Sequence, residues 1–394
     1  MPNFVLAPDS FKESMTALEA CQAMQRAILA HDSNATCIIT PMADGGEGTL
    51  DVLLYACQGE KIACEVQGPL ANQTIQTYFA LLDAGQTAVI EMAKANGIDL
   101  LKPNQRSPML TSTYGTGQML QQALNLGVNK VILGLGGSVT NDGGSGLAQA
   151  LGIQFLDQHQ QKIEVCGGNL DQVHRIDMSQ LDERIRQVEI VIASDVNNPL
   201  CGEKGASALF GPQKGATNEM ISALDSNLAH YAKLVHEVVG RDFSEHAGAG
   251  AAGGLGFALM AFCGATMQSG AELVIEQHDL MTKIQQADYV LTGEGKIDGQ
   301  TALGKTPFAV AQVAKRLNKP VIAFAGVVGE DTQALYTQGF SQIIGINPKG
   351  INPIQAMQHA NHYLELATLA WLKQQNEGGY FSVKIRKNPT DAQE

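Results

Sequence analysis

Four apolar segments of this chain each run into a loop that couples a carboxylate to glycine or asparagine. The loops are DGGEG (44–48), GGSVTNDGGSG (136–146), SDVNNPLCG (194–202) and TGEGKID (292–298). A short buried strand followed by a polar loop and a helix is the repeating unit of a parallel, doubly wound α/β sheet. Because ligands of such sheets gather beyond the carboxyl ends of the strands, these loops are predicted to carry the function.

The loop at 136–146 is the richest in glycine. Six of the thirteen residues from Gly134 to Gly146 are glycine, and the pair Asn141–Asp142 lies among them. Glycine lets backbone N–H groups approach an anion, and the following helix would aim its N-terminus at the same place. The acid suits a metal ion or a hydroxyl that loses its proton. The alternative is a tight connection without a ligand.

The rhythm of strands and helices changes near Lys61. Residues 1–60 and 285–375 alternate strands with helices and are predicted to form one discontinuous, doubly wound domain. Residues 61–284 begin with three strands and no helix between them, which indicates a mixed or antiparallel patch in an inserted second α/β domain. Residues 376–394 are predicted to be a polar tail. A length of 394 residues agrees with two domains.

Composition narrows the class of protein. The net charge of −13 argues against nucleic acid and anionic membranes as partners, since both need a basic face. Seven cysteines without a CxxC pair are typical of reduced thiols. The N-terminus lacks the layout of a signal peptide, and no apolar run reaches the ~20 residues of a membrane span. A soluble cytoplasmic protein is expected, and a homodimer is left open.

Two glycine motifs suggest competing functions. Gly299–Thr306 matches the P-loop spacing GxxxxGK[ST], but the apolar strand before it is expected to end near Leu291, too early for a P-loop. Gly248–Gly253 matches GxGxxG, the dinucleotide fingerprint, without a strand before it. The alternatives to a kinase are therefore an NAD(P)-dependent oxidoreductase of a small hydroxy acid and a non-catalytic nucleotide-binding protein.

The loop from Val196 to Lys214 is long and has little internal periodicity. Loops of this length inside a domain are usually functional or disordered, and a lid that closes over a ligand is one such function. Carboxylates, glycine backbone and isolated lysines together are what phosphoryl transfer from Mg-ATP requires. Carboxylates hold Mg²⁺, N–H groups and lysines bind phosphate, and a carboxylate orients the attacking hydroxyl.

Seven motifs in order resemble the bacterial glycerate kinase family, over about Phe4 to Ile346. They are APDSFKES, PMADGGEGT, GGSVTNDGGSG, SDVNNPLCGEKGA, FGPQKGA, GAGAAGGLG and TGEGKID. The resemblance implies ATP-dependent phosphorylation of D-glycerate, in most relatives to 2-phosphoglycerate. It also implies a doubly wound, Rossmann-like α/β domain interrupted by a second α/β domain, with the active site in the cleft between them.

Site residues are assigned as hypotheses on the matching motifs. Asp195, which ends a buried strand, is the first choice for the base, and Asp298 or Asp142 are the alternatives. Mg²⁺ is assigned to Asp44, Glu47 and Glu294. Contacts to substrate or phosphate are assigned to Asp9, Ser10, Lys12, Gly136, Gly137, Ser138, Asn141, Asn198, Lys214, Gly250 and Lys305. The cofactors expected are ATP and Mg²⁺, and the partner is glycerate.

Overall fold

The structure, a computed structural model, describes residues 2–377. The strands are β1 (Asn3–Leu6), β2 (Thr36–Ile39), β3 (Glu60–Gln67), β4 (Thr74–Leu82), β5 (Thr87–Glu91), β6 (Lys130–Gly134), β7 (Gln154–Leu156), β8 (Arg175–Asp177), β9 (Glu189–Ala193), β10 (Thr266–Gln268), β11 (Tyr289–Ile297), β12 (Val321–Val328) and β13 (Phe340–Gly345).

The helices are α1 (Ala17–His31), α2 (Thr49–Cys57), α3 (Ala93–Asn96), α4 (Tyr114–Asn125), α5 (Ser145–Ala150), α6 (Ala206–Phe210), α7 (Asn218–Val239), α8 (Ala251–Cys263), α9 (Gly270–Gln277), α10 (Leu280–Gln285), α11 (Thr306–Arg316), α12 (Gln333–Thr337), α13 (Pro353–Gln358) and α14 (Ala360–Glu377). By their contacts, these elements divide into two compact units.

Unit 1 combines residues up to Met42 with those from Asp279 onward. Its five strands lie in the order β13-β12-β11-β1-β2, and all pair in parallel. Phe4, Leu291 and Phe324 belong to a core shared with α1 and α14, whereas α11 packs against β11 and β12. Between β1 and β11 the strand order reverses direction. Unit 1 is therefore doubly wound.

Unit 2 is Ala43–His278 and contains a six-stranded sheet in the order β10-β9-β6-β5-β4-β3. The first four of these strands pair in parallel, and β4 pairs antiparallel with both β5 and β3. This antiparallel part is the patch that the three consecutive strands predicted. A separate pair, β7 and β8, is antiparallel.

Helices cover both faces of the sheet in unit 2. Phe79, Ile90 and Leu133 lie in a core shared with α4, α5, α7 and α8. α2 packs against β4, β5 and α9. Burying each large apolar side chain of this kind contributes about 1.5–3 kcal/mol, so the layers are held mainly by apolar packing.

The predicted fold class is confirmed: an α/β chain whose doubly wound domain is interrupted by a second α/β domain. The boundaries differ from the predicted ones. Residues 43–60 belong to unit 2, because α2 packs on the sheet of that unit. Residues 279–284 belong to unit 1, because α10 packs on α11. Of the predicted polar tail 376–394, the first two residues are in α14 and the others lie outside the described residues.

Candidate active site

Three of the predicted loops lie together in unit 2: 44–48, 136–146 and 194–202. A Cβ atom on Gly45, whose φ is +87°, would lie 2.6 Å from the carbonyl oxygen of Ala193. A Cβ atom on Gly136 would lie 2.4 Å from the Cα atom of Gly46. Residues with side chains would not allow this approach, so glycine is required where the loops touch. The loops meet beyond the carboxyl ends of β6 and β9, as the repeated pattern predicted for a functional site.

Asp195 follows β9, and its surface is exposed. The surrounding loops still remove part of its hydration, and this raises the pKa of its carboxyl; the negative charge of Asp44 raises it further. Hydrogen bonds from the Ser269 hydroxyl and the Gly270 N–H oppose the shift. A carboxylate with a raised pKa accepts a proton more readily near neutral pH. These surroundings suit the predicted base.

Asp44 and Glu47 lie on the first of the three loops. The Oδ1 atom of Asp44 accepts a hydrogen bond from the N–H of Gly46 at 2.9 Å, while Glu47 is exposed. The negative charges of Asp44 and Asp195 repel each other. A divalent cation bound near them would reduce this repulsion. Within residues 2–377, no group of three or more His, Cys, Asp or Glu side chains could hold a metal ion. Mg²⁺ commonly needs only one or two carboxylates, because water and phosphate oxygens complete its shell.

Asp142 is fully buried and surrounded by donors of its own chain. Its Oδ2 atom accepts hydrogen bonds from the N–H and the hydroxyl of Thr113, both at 2.8 Å, and from the N–H of Gly146 at 3.2 Å. Its Oδ1 atom accepts from the N–H of Gly144 at 3.1 Å. Burial raises the pKa of Asp142, and these hydrogen bonds lower it. The geometry does not favour the predicted catalytic role, because the carboxylate already accepts hydrogen bonds from its own loop and from Thr113.

Asn141 is also buried, and its Nδ2 donates to the Ser207 hydroxyl at 2.9 Å. Its Oδ1 atom finds no hydrogen-bond partner within the described residues. Ser207 lies on α6, inside the stretch 196–214 that was expected to be a long functional loop with little internal periodicity. That expectation is wrong in part, because α6 is helical and Ser207 is buried against the 136–146 loop.

Lys214 is 1% exposed, an unusual position for an ammonium group. Its Nζ donates to the carbonyl oxygen of Thr140 at 2.6 Å. Burial lowers the pKa of Lys214 to about 7, although the charge of Asp142 acts in the opposite direction. The side chain ties the end of the 196–214 stretch to the 136–146 loop, and its burial does not favour the predicted contact with substrate.

Gly137 and Ser138 connect the glycine loop to the residues that follow α3. Gly137 has a φ of +73°, and its carbonyl oxygen accepts from the N–H of Ile98 at 2.8 Å. Ser138 is buried and forms a bridge with Gly97. This part of the loop is held rigidly, which suits a preorganised anion site.

Asn198 and Gly250 are neighbours. The N–H of Gly250 donates to the carbonyl oxygen of Asn198 at 3.1 Å, and Asn198 Nδ2 donates to the carbonyl oxygen of Pro199 at 3.1 Å. The Oδ1 atom of Asn198 has no hydrogen-bond partner in the described part of the chain. An acceptor in this state fits a hydroxyl or a water molecule.

The GxGxxG segment Gly248–Gly253 packs on its own chain. It follows turns and bends, and the fingerprint requires a strand there. Gly253 has a φ of +69°, and its Cβ atom would lie 2.0 Å from the carbonyl oxygen of Thr140. Its own carbonyl oxygen accepts from the N–H of Gly143 at 2.9 Å. The glycines therefore allow close packing on the 136–146 loop, and the dinucleotide-binding alternative is not supported.

In unit 1, polar residues follow the neighbouring strands β1 and β11. Asp9 accepts from the N–H of Ser10 and from the hydroxyl of Thr306, both at 2.6 Å. Lys12 is exposed. The strand order reverses between these strands, which is the usual position of a ligand in a doubly wound sheet.

Glu294 and Lys305 form an ion pair in the same unit. The Nζ atom of Lys305 lies 3.5 Å from Oε2 of Glu294, and the hydroxyl of Thr301 donates to Oε1 at 3.1 Å. A partly exposed pair of this length contributes little to stability. Each partner can therefore exchange the other for a ligand, Lys305 for a phosphate and Glu294 for a cation.

Asp298 caps a short helix in unit 1. Its Oδ1 atom accepts from the N–H of Gln300 at 3.0 Å, and its Oδ2 atom lies 2.8 Å from Nζ of Lys296. The hydrogen bond from Lys296 is the main reason that the pKa of Asp298 is lowered. A carboxylate with a lowered pKa is a weak base, so this geometry does not favour Asp298 as the base.

The P-loop match Gly299–Thr306 also lies here. The strand before it does not end near Leu291 as expected; β11 continues to Ile297. However, Gly299–Leu303 forms a 3₁₀-helix, whereas a P-loop turns its backbone N–H groups towards phosphate. The P-loop interpretation therefore fails for a different reason from the one predicted.

Glu91 was missed by the sequence reasoning. It ends β5, is 2% exposed, and accepts from the N–H of Leu50 at 2.8 Å. Burial raises the pKa of Glu91 to about 7. The signal that could have found it is the same strand-then-acid pattern, which the segment TAVIE shows without a glycine-rich loop.

All seven cysteines lie within the described residues and carry free thiols. Of the helices between residues 2 and 377, none combines the length and apolar character needed to cross a bilayer.

Comparison with known proteins places this geometry in a family. The sequence profile of the Glycerate kinase family matches residues 4–373. Glycerate kinase of Haemophilus influenzae is 48% identical, over 87% of this chain and 90% of that protein. Glycerate 2-kinase of Escherichia coli is 43% identical, over 87% of this chain and 90% of that protein. A crystal structure from Salmonella typhimurium LT2, provisionally assigned as glycerate kinase 2, is 40% identical, with a TM-score of 0.83 over 96% of this chain and 99% of that chain. The chain therefore belongs to the glycerate kinase family.

Proposed function

We propose that this chain is a kinase that transfers the γ-phosphoryl group of ATP to a hydroxyl of D-glycerate. The observation that carries the proposal is that Asp44 and Asp195 lie where the loops 44–48, 136–146 and 194–202 meet, in a chain of the glycerate kinase family. We take the product to be 2-phosphoglycerate, which rests on the name of the E. coli relative.

The reaction needs a hydroxyl that is oriented and relieved of its proton. In our proposal the carboxylate of Asp195 accepts the proton as the glycerate oxygen bonds to the γ-phosphorus. The bond from that phosphorus to the bridging oxygen of ADP breaks in line, and ADP leaves with the electron pair. Catalysis of this kind depends mostly on positioning and on neutralising charge.

Phosphate and glycerate contacts are proposed on groups of both units. In unit 1 they are Ser10, Lys12 and Lys305, with Asp9 fixing the turn that carries the first two. In unit 2 they are the backbone of Gly136 and Gly137, with Ser138, Asn198 and Gly250. The support is the rigid backbone of the glycine loop and the unpaired Oδ1 atom of Asn198.

Mg²⁺ would be held by Asp44 and Glu47 in unit 2 and by Glu294 in unit 1. Phosphate oxygens and water would supply the other ligands of the ion. When bound, the ion would neutralise charge on the phosphates. The mutual repulsion of Asp44 and Asp195 supports a cation near the first set. Asn141, Asp142 and Lys214 are proposed to support the site without touching the ligand, because their side chains already form hydrogen bonds that hold its loops.

The test is an assay that couples ADP release to NADH oxidation, with D-glycerate and ATP. Turnover with D-glycerate and a ³¹P spectrum of 2-phosphoglycerate are expected. A ³¹P spectrum of 3-phosphoglycerate would contradict phosphorylation of the 2-hydroxyl. Turnover with other hydroxy acids but not with glycerate would contradict glycerate as the substrate. ATP binding without turnover on any hydroxy acid would favour a non-catalytic protein.

We further propose a cytoplasmic location, which the free thiols support because they persist in a reducing compartment. A homodimer stays a prediction, and sedimentation equilibrium would measure it.

A further inference from the structure

We propose that Glu91 is a positioning residue of this kinase: it caps α2 from a neighbouring strand and so fixes the loop 44–48 that carries Asp44 and Glu47. The inference rests on the proposed function for its effect on turnover. The capping itself rests on contacts within unit 2.

The start of α2 lacks a cap of its own. The first N–H groups of a helix have no partners inside the helix, and a side chain at the N-cap usually accepts from the second or third of them. Here the N-cap is Gly48, with a φ of 90° and no side chain. Leu50 is the second residue of the helix, and its N–H donates to Oε1 of Glu91 at 2.8 Å. Glu91, 41 positions further along the chain, therefore acts as the N-cap acceptor of α2.

Glu91 is itself held in place. Its side chain is 2% exposed, and its Cγ lies 3.6 Å from where a Cβ atom on Gly134 would be. Its other carboxylate oxygen lies 3.9 Å from Nζ of Lys94, whose ammonium lies 5.0 Å from the centre of the Tyr78 ring. A side chain packed on all sides can impose its position on the helix that it caps.

The capped helix controls the loop before it. The hydroxyl of Thr49, the first residue of α2, donates to the carbonyl oxygen of Gly46 at 2.8 Å. The same loop is wedged against Ala193 at the end of β9, with Gly45 at the point of contact. A shift of α2 would therefore move Asp44 relative to Asp195. Misplacement by about 1 Å at a reacting centre can cost on the order of 10² in rate.

The test compares Glu91→Gln with Glu91→Ala. Glutamine keeps an acceptor for the Leu50 N–H, whereas alanine removes it. The control is Glu189→Gln, which neutralises a glutamate paired with Lys130 at 3.1 Å at the other end of the same sheet. Two readouts are taken: hydrogen–deuterium exchange in a peptide covering residues 44–54, and kcat and KM for glycerate and ATP.

Faster exchange at 44–54 is expected in Glu91→Ala only. Its kcat is expected to fall by about 10², with glutamine within about threefold of the parent because the cap is retained. Unchanged exchange in Glu91→Ala would overturn the capping role. If Glu91→Gln loses as much kcat as Glu91→Ala while its exchange stays normal, the charge acts directly and the positioning role is wrong. The hydrogen–deuterium exchange result does not depend on which substrate the protein uses. A protein without glycerate kinase activity would therefore still show it.

Discussion

Thr113 donates both its backbone N–H and its hydroxyl to one oxygen of Asp142, each at 2.8 Å. The same hydroxyl accepts from the N–H of Leu147 at 2.9 Å. Thr113 thereby joins the segment before α4 to the 136–146 loop and to the start of α5. A buried carboxylate that accepts from several donors is a rigid support, since each lost hydrogen bond to a charged group costs about 1.5–3 kcal/mol.

We predict that Asp142→Asn destabilises the protein by about 1.5–3 kcal/mol. The amide can keep the donors at one oxygen but must turn its NH₂ group towards the N–H of Gly144. The change is measured as a fall in the midpoint of thermal unfolding. Asp177→Asn is the matched control: its Oδ1 accepts from the N–H of Ser179 at 2.9 Å, a bond that asparagine can also make. An equal fall in both variants would contradict the prediction.

The sequence was sufficient for the class of fold and for the loops, because both follow from local patterns. A strand that ends in a loop with an acid and glycine can be recognised within a single short segment. This pattern predicted that Asp44 and Asp195 lie near the carboxyl ends of strands. What is not local was missed. Burial of Asp142 and Lys214 depends on which helices cover the loop, so the sequence did not show that these two predicted site residues lie inside the protein and bind its own backbone.

Asp195 and Asp298 are predicted to differ sharply when each is changed to asparagine. The pKa of Asp195 is raised by partial loss of hydration and by the charge of Asp44, whereas that of Asp298 is lowered by Lys296. Asp195→Asn should reduce kcat by about 10²–10⁴, the range of a lost general base. Asp298→Asn should reduce it less than about tenfold, since asparagine can still cap the helix.

The measurement is steady-state kcat with glycerate and ATP, with unfolding temperature as the check on folding. Asp157→Asn is the control: it changes an exposed turn whose Asp accepts from His159 and Gln161, both at 2.8 Å. A larger loss of kcat in Asp298→Asn than in Asp195→Asn would transfer the role of base to Asp298.

Lys214 is predicted to make stability depend on pH. Its pKa is about 7 in the folded chain because of burial, and 10.5 is the ordinary value. Between these values the unfolded chain binds the proton and the folded chain does not. Stability from this group therefore rises with pH above about 7, and the group destabilises most below pH 7, where the buried amine is charged.

Lys214→Met removes the titration and fills the same space. The difference in unfolding temperature between Lys214→Met and the parent should move in favour of the parent from pH 6 to pH 9. Taking the difference cancels the other titrating groups, which both proteins share. A constant difference across that range would mean that Lys214 keeps its proton when folded, held by Asp142.

Gly253 is predicted to be the least replaceable of the glycines beside the 136–146 loop. An alanine there would need a φ of +69° and would place its Cβ 2.0 Å from the carbonyl oxygen of Thr140. Gly240 offers a matched control, because its φ is +79° but no atom lies within 4 Å of its Cβ position. Gly240→Ala should cost only the left-handed backbone, about 1–2 kcal/mol. Gly253→Ala adds a backbone clash and should exceed about 4 kcal/mol, seen as a much larger fall in unfolding temperature. Similar falls in the two variants would show that the loops can separate at this contact, and the tight packing of 248–254 on 136–146 would have to be abandoned.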